Sequence, residues 1–446
     1  MGSGVKFSLL LPAFILALCF LEMAFGNLLH FRVVWLFYAY VIYFIFFRSF
    51  KASLSVNKVY ILPYLFLVLG YLLAALLSDN FYNTIKGEMF NILWWTIFSL
   101  LVVSELNKEA KVVFFFNRLS LMIFTGSLVA AIIGLYKLYI FEFSGTIWET
   151  SYSQEGTIIQ GSSLNSDYNI YTLGILLGVF AGKYSNDLYP TKIKNLVFKL
   201  STPVMALAML TSGSRRGILF TILMLLIVYL FKFSSQISIV RQLATQKVKT
   251  LTFCCLFILL FILFVDNIEF ILNNLQLEST IFGRLATLSS QLTQANERTL
   301  RWDLAYEMLS SKDLVQLIFG SGFDYISRYG EKFGNTEDNP HNFILATWLY
   351  GGFCAVLMLF ITLITSLRCM ANKPIFTFFF IAQLFLLFFS LTSSNTLFSY
   401  RIFPVLTLLP LLISTKYSRY PYKDLSEIMR YSVLSKGHIV KIPSSK

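Results

Sequence analysis

The sequence predicts an all-α membrane protein, a polytopic helical bundle of about twelve transmembrane helices. Three observations carry that prediction. First, 57% of the 446 residues are hydrophobic and only 13% are charged, about half the charge of an ordinary soluble chain. Such a chain cannot cover a water-facing surface, so a soluble enzyme is excluded, and the same balance excludes intrinsic disorder. Second, the apolar residues form continuous runs of roughly helix-spanning length rather than the ~10-residue alternating strands of a barrel. Only helices and closed barrels satisfy their own backbone in lipid. Third, Lys and Arg are distributed unevenly between the two sides that those runs define.

In chain order the runs are roughly 7–25, 33–47, 59–77, 89–104, 119–140, 168–182, 195–211, 217–231, 251–265, 343–366, 375–392 and 402–415. No small-residue cleavage site follows the first, which reads as a retained helix. Several runs are short for a crossing, so one or two are expected to be re-entrant or to extend into flanking polar residues. With the N-terminus inside, the inner segments take 24 of the 36 basic residues and five acidic ones, and the outer segments take 12 basic and 18 acidic. The opposite topology inverts the positive-inside bias, so both termini are expected in the cytoplasm. The net charge of +13 is accordingly read as topology, with no nucleic-acid partner. Residues 1–415 are expected to form one integral membrane domain and 416–446 a cytoplasmic tail.

One loop is long: 267–342, between the ninth and tenth runs, on the outer side. Within it Leu300, Leu304 and Met308 recur at helical spacing, with Trp302 and Leu309 nearby. Short amphipathic helices lying over the bundle are expected there. No internal repeat is evident and the long loop is off-centre, which argues against two-fold-symmetric transporter designs. The five cysteines have neither disulfide nor metal spacing, and four lie in apolar runs, where they serve as small hydrophobes.

Candidate chemistry gathers on the outer side. Thr211-Ser-Gly-Ser-Arg-Arg-Gly217 joins the seventh and eighth runs. Its two arginines either snorkel to headgroup phosphates or serve a site, because ionisable groups at membrane depth tend to be functional. Arginine makes bidentate contact with phosphate, which suits a lipid-linked phosphate or pyrophosphate. The long loop adds Arg298, Arg301 and Trp302, then Gly320-Ser-Gly322, then Asp338-Asn-Pro-His-Asn342 at the start of the tenth run. His341 is the one histidine near these groups, since His30 and His438 lie elsewhere. It either begins a helix capped by Asn339 or acts as a general base. Gly320 and Gly322 are too short a pair for a dinucleotide fingerprint and read as a tight turn. There is no Asp-x-Asp pair for a metal-bound nucleotide sugar, and no Walker loop, HExxH or GxSxG, so no metal or other cofactor is expected. Trp94-Trp95 is followed by Thr and Ile, unlike the Trp-Trp-Asp signature of oligosaccharyltransferases.

The order of these stretches resembles the bacterial O-antigen ligase/O-antigen polymerase superfamily of membrane glycosyltransferases. The resemblance rests on Ser214-Arg-Arg-Gly217, Arg298-Thr-Leu-Arg-Trp302, Gly320-Ser-Gly322, and His341-Asn342 with Gly351-Gly352. Leu164-Asn-Ser-Asp-Tyr-Asn169 is similar to the family's Asn-rich turn. It covers about 161–352. Many members carry an acid shortly before the late glycine, where Tyr350 stands here. The paired Arg-x10-Gly motifs of some polymerases are not recognisable around Arg215, Arg298 or Arg301.

The resemblance implies transfer of a polyprenyl-pyrophosphate-linked oligosaccharide to a glycan or lipid acceptor at the outer face of the bacterial inner membrane. Pyrophosphate leaves readily once its charge is stabilised, which arginines supply. Arg215 or Arg216, with Arg298 or Arg301, is assigned to the pyrophosphate, and His341 to the acceptor proton. Asn342 and Asp338 are candidates to orient the imidazole or the acceptor, and Asn169 to contact substrate. Direct displacement inverts the anomeric centre. A surface-polysaccharide polymerase, with a chain-length regulator as partner, is the favoured member, an O-antigen ligase the alternative, and a lipid-linked glycan flippase the alternative of another class.

Overall fold

The computed structural model describes residues 3–26, 33–47, 58–79, 81, 90–106, 109–143, 161–165, 167–188, 190–212, 214–230, 297–333, 340–371, 373–392 and 403–416. The expected ninth span, 251–265, and the tail beyond Lys416 lie outside them. Every other expected span coincides with helix: α1 (Ser3–Phe25), α2 (Val33–Phe47), α3 (Lys58–Leu76), α4 (Phe90–Glu105), α5 (Glu109–Phe143), α6 (Tyr168–Leu188), α7 (Lys192–Leu210) and α8 (Arg215–Leu230). The loop contributes α9 (Glu297–Ser310), α10 (Leu314–Phe319) and α11 (Asp324–Phe333). Then come α12 (Phe343–Ala371), a 3-10 turn (Pro374–Phe376), α13 (Thr377–Thr392), α14 (Phe403–Leu406) and α15 (Leu408–Lys416).

Among the described residues four stretches are long and apolar enough to cross a membrane: Val59–Leu76, Lys111–Ile140, Lys192–Leu210 and Phe343–Ala371. Leu9–Phe25, Ile92–Glu105, Thr377–Ser390 and Pro404–Lys416 are shorter apolar helices. The 35 residues of α5 run about 52 Å, well beyond a ~30 Å hydrocarbon core, so this helix projects past the expected 119–140 at both ends.

α6 is the centre of one packing group, buried along most of its length, with α1, α5, α7, α8 and α13 against it. Gly174, Gly178 and Gly182 recur every four residues along it. A Cβ on Gly174 would meet the Met23–Ala24 backbone of α1, and one on Gly178 or Gly182 would meet Ser127 or Phe124 of α5. The missing side chains let three helices approach, as small residues do between membrane helices, where packing rather than water drives association. Ser127 Oγ donates to Gly174 O at 3.3 Å across that contact.

α12 lies on α3 and is broken at Gly352, whose φ of +69° interrupts the helix. A break frees backbone carbonyls that lipid cannot satisfy. The turns on either side of α10 satisfy them: Lys312 Nζ donates to Leu349 O at 2.8 Å and Gly322 N to Tyr350 O at 2.9 Å. A Cβ on Gly352 would sit 2.2 Å from Ile318 O, and one on Gly320 2.1 Å from Tyr350 O. The Gly320-Ser-Gly322 turn is therefore the seat of α10 on the broken helix. Tyr350 is buried, edge-on to Tyr71 and Phe323.

Of the three short helices of the loop, α9 and α11 each bury one side, whereas α10 buries no residue. α11 buries Tyr325, Tyr329 and Gly330 and exposes Ser327 and Arg328. α9 buries Leu304 and Met308, but Leu300 is turned outward at 53% exposure. Arg301 occupies the inward position beside Leu304 and Ala305, because its stem and flat guanidinium pack against an aromatic ring.

Candidate functional site

The first polar array forms where four helix ends meet. Ser162 N donates to Thr211 O at 3.0 Å and Ser162 Oγ to Ala208 O at 2.6 Å, satisfying C-terminal carbonyls of α7. Asn165 Nδ2 donates to Met23 O at 3.1 Å, doing the same for α1. Asp167 Oδ1 accepts from Asn169 N at 2.8 Å and Ile170 N at 3.3 Å and caps α6. The fourth end is the start of α8. Ser214 Oγ donates to Asn169 Oδ1 at 2.9 Å, and Ser214 N donates to Ser212 Oγ at 3.3 Å. Gly161, at φ +59°, allows the close fit, since a Cβ there would lie 1.9 Å from Thr211 O.

The second array surrounds the start of α12. Asn342 Oδ1 accepts from Ile344 N at 2.9 Å and Leu345 N at 3.3 Å. Asn342, not Asn339, is thus the helix cap, and the geometry follows from its position two and three residues before those amides. His341 precedes it with φ +52°, the one non-glycine residue with positive φ among the described residues. That conformation costs an L-residue about 1–2 kcal/mol. Residues held this way cluster at functional sites.

The loop helices buttress α12. The Arg301 guanidinium lies 4.2 Å above the Phe333 ring, and Tyr329 Oη donates to Arg301 O at 2.6 Å, so α9 is held on α11. Ser78 Oγ donates to Asp324 Oδ1 at 2.7 Å, tying α11 to the end of α3. Burial pushes the Lys312 ammonium down to about 8, against the upward pull of the Asp324 and Asp313 carboxylates.

The expected site residues therefore separate by what surrounds them. Asn169 is joined to Ser214, immediately before Arg215. Arg215 and Arg216 open α8 and Arg298 lies in the first turn of α9, with side chains outside the described residues. Arg301 is 6% exposed and packed on Phe333. His341 and Asn342 open α12, and Asp338 lies outside the described residues. Among the described residues no three His, Cys, Asp or Glu side chains form a group able to hold a metal. Sequence reasoning passed over Ser162, Asn165 and Ser214 as contributors. The signal for them was the density of Ser, Asn and Asp at two turns, residue types that bond to nearby backbone.

Residues 200–361 match the family model described as O-antigen ligase. The match supports the O-antigen ligase/O-antigen polymerase superfamily for this chain. It runs from α7 through α8 and the loop helices into α12, and so contains Ser214, Arg215, Arg298 and His341. Asn169 lies before it, yet is hydrogen-bonded to it through Ser214. The family implies a membrane enzyme with a glycosyltransferase-type role. No curated protein and no solved structure matches.

Proposed function

We propose that this protein transfers a polyprenyl-pyrophosphate-linked glycan to a sugar hydroxyl at the outer face of the bacterial cytoplasmic membrane. The observation that carries the reading is the O-antigen ligase match across the stretch that holds Arg215, Arg298 and His341. The geometry supports it from two sides. The start of α8 is held by a hydrogen bond to Asn169, and the start of α12 by the Asn342 cap, so the backbones bearing Arg215 and His341 are both anchored.

In this mechanism Arg215, Arg216 and Arg298 stabilise the departing pyrophosphate by charge-assisted hydrogen bonds. Arg301 supports Arg298 from the next turn of α9 through its packing on Phe333. His341 takes the proton from the acceptor hydroxyl as that oxygen attacks the anomeric carbon and the carbon–phosphate oxygen bond breaks, with inversion. Asn342 and Asp338 orient the imidazole or the acceptor. The aim of a polymerase is a second lipid-linked repeat, with a chain-length regulator nearby. The ligase reading, with lipid A core as acceptor, has its own support in the description of the matched family.

The test is an assay on protein in nanodiscs with a defined lipid-linked donor. One arm offers a second lipid-linked repeat and the other lipid A core. Elongated lipid-linked glycan identifies a polymerase and glycosylated core a ligase. Absence of product in both arms, together with movement of donor across a vesicle membrane, would replace the enzyme by an exporter. Sidedness is checked separately: single cysteines in 267–342 should react with an impermeant reagent on intact spheroplasts.

A further inference from the structure

Lys137 is a cation that the proposed chemistry leaves without a task. It lies within the apolar stretch Lys111–Ile140 of α5 and is 5% exposed. Buried ionisable residues in such stretches are costly and mark function. Its Nζ donates to Ser163 O at 2.6 Å. One turn earlier on the same helix is Gly134, where a Cβ would lie 2.1 Å from Ser162 O. The glycine lets the 161–165 backbone lie against α5, and the lysine grips its carbonyl. The same turn receives the last carbonyls of α1 and α7, the negative ends of two helix dipoles, which favour a cation nearby.

That turn leads directly to the start of α8. Ser162 is bonded to Ala208 and Thr211 at the end of α7, and Thr211 Oγ1 donates to Ser162 Oγ at 3.1 Å. Asp167 N donates to Asn165 Oδ1 at 3.0 Å, Asp167 caps α6, and Asn169 holds Ser214. Both chain directions from the turn therefore converge on the residue before Arg215.

We infer that Lys137 is a positioning residue of the donor site: by holding the Ser163 carbonyl it keeps the 161–165 turn seated and so fixes the start of α8. The inference rests on the reading of Arg215 and Arg216 as the phosphate-binding cations. A misplacement of about 1 Å far from the reacting atoms lowers turnover by about 10²-fold.

The experiment measures kcat and KM for lipid-linked donor in nanodiscs for wild type, Lys137→Met, Lys137→Gln, Ser214→Ala and the doubles of each Lys137 variant with Ser214→Ala. Lys137→Met should lose about 10²-fold in kcat/KM. Adding Ser214→Ala should then cost much less than it costs the wild type, because both act through one array. Lys137→Gln, a neutral donor to the same carbonyl, should recover most of the activity. Three results would overturn the inference: wild-type kcat/KM in Lys137→Met, additive losses in the Lys137→Met double, or a Gln variant that accumulates normally yet is as impaired as Met. The last would mean that the ammonium charge acts on the donor itself. Should Lys137→Met not accumulate, the Gln variant decides: recovery of both protein level and kcat/KM supports the inference, and impairment at a normal protein level overturns it. A wild-type protein without transfer activity would instead remove the proposed function.

Discussion

Ser214 and Asn169 share a hydrogen bond of 2.9 Å across a separation of 45 residues. The bond ties the residue before the Arg215-Arg216 pair to the first turn of α6, the helix on which α1, α5, α7, α8 and α13 pack. A pair so placed should act as a unit. Ser214→Ala and Asn169→Ala are each expected to lower transfer, and the double variant should fall short of the product of the two losses. An interaction energy within the usual ~0.5–3 kcal/mol for contacting residues is expected from the four kcat/KM values. Strict additivity would mean that the bond has no bearing on turnover.

Arg215→Lys keeps the charge but loses the fork that clasps two phosphate oxygens. Surface polysaccharide, read on a gel from cells with equal protein levels, should fall sharply. Arg216→Lys run beside it identifies which arginine meets the donor. Full-length polysaccharide in both variants would assign the pair to headgroups.

His341 allows chemistry and backbone strain to be separated. His341→Gln keeps a hydrogen-bonding side chain but accepts no proton, and it should lose about 10²–10⁴-fold in turnover per folded protein. His341→Gly adopts φ +52° without the cost an L-residue bears there, so it should melt no lower than wild type while being as inactive as the Gln variant. Near-normal turnover in His341→Gln would remove the imidazole from the mechanism.

Gly352→Ala places a Cβ 2.2 Å from Ile318 O in a left-handed backbone. A loss of stability above about 1–2 kcal/mol is expected, the backbone penalty alone. Limited proteolysis should find the 297–333 segment cut earlier as α10 leaves its seat. Unchanged melting and cleavage would show that the break is dispensable.

Lys312 makes stability depend on pH. Its folded value of about 8 lies below the ordinary 10.5, so between these values the unfolded chain binds more protons than the folded one. Stability should rise as pH increases through that window, with the burial of charge costing its full amount below it. Wild-type and Lys312→Met melting temperatures, measured from about pH 7 to about pH 10, should diverge in favour of wild type as pH rises. Parallel curves would count against the assignment.

Among the described residues the positions of the apolar helices were legible in the sequence because leaving water is a local property: a continuous apolar run of spanning length satisfies its backbone within itself as helix. α2 matches its expected limits, 33–47, for that reason. The Gly320–Gly322 turn and the clustering of Ser, Asn and Arg at 161–169 and 211–217 were legible too, because turn and cap preferences are set within a few residues. What those residues touch was decided by tertiary structure. Leu300 faces outward while Arg301 packs on Phe333, since α9 lies against both α11 and α12 and α11 presents an aromatic ring to it. Asn342 rather than Asn339 takes the cap, because the chain turns at His341 before α12 begins. Gly352 breaks a run that is apolar throughout, and only the carbonyl partners offered by Lys312 and Gly322 make that break tolerable. The bonds from Lys137 to Ser163 and from Ser214 to Asn169 join residues far apart in the chain. Such pairings depend on how helices cross, and hydropathy, which reports one segment against its solvent, contains no term for the distance between two segments.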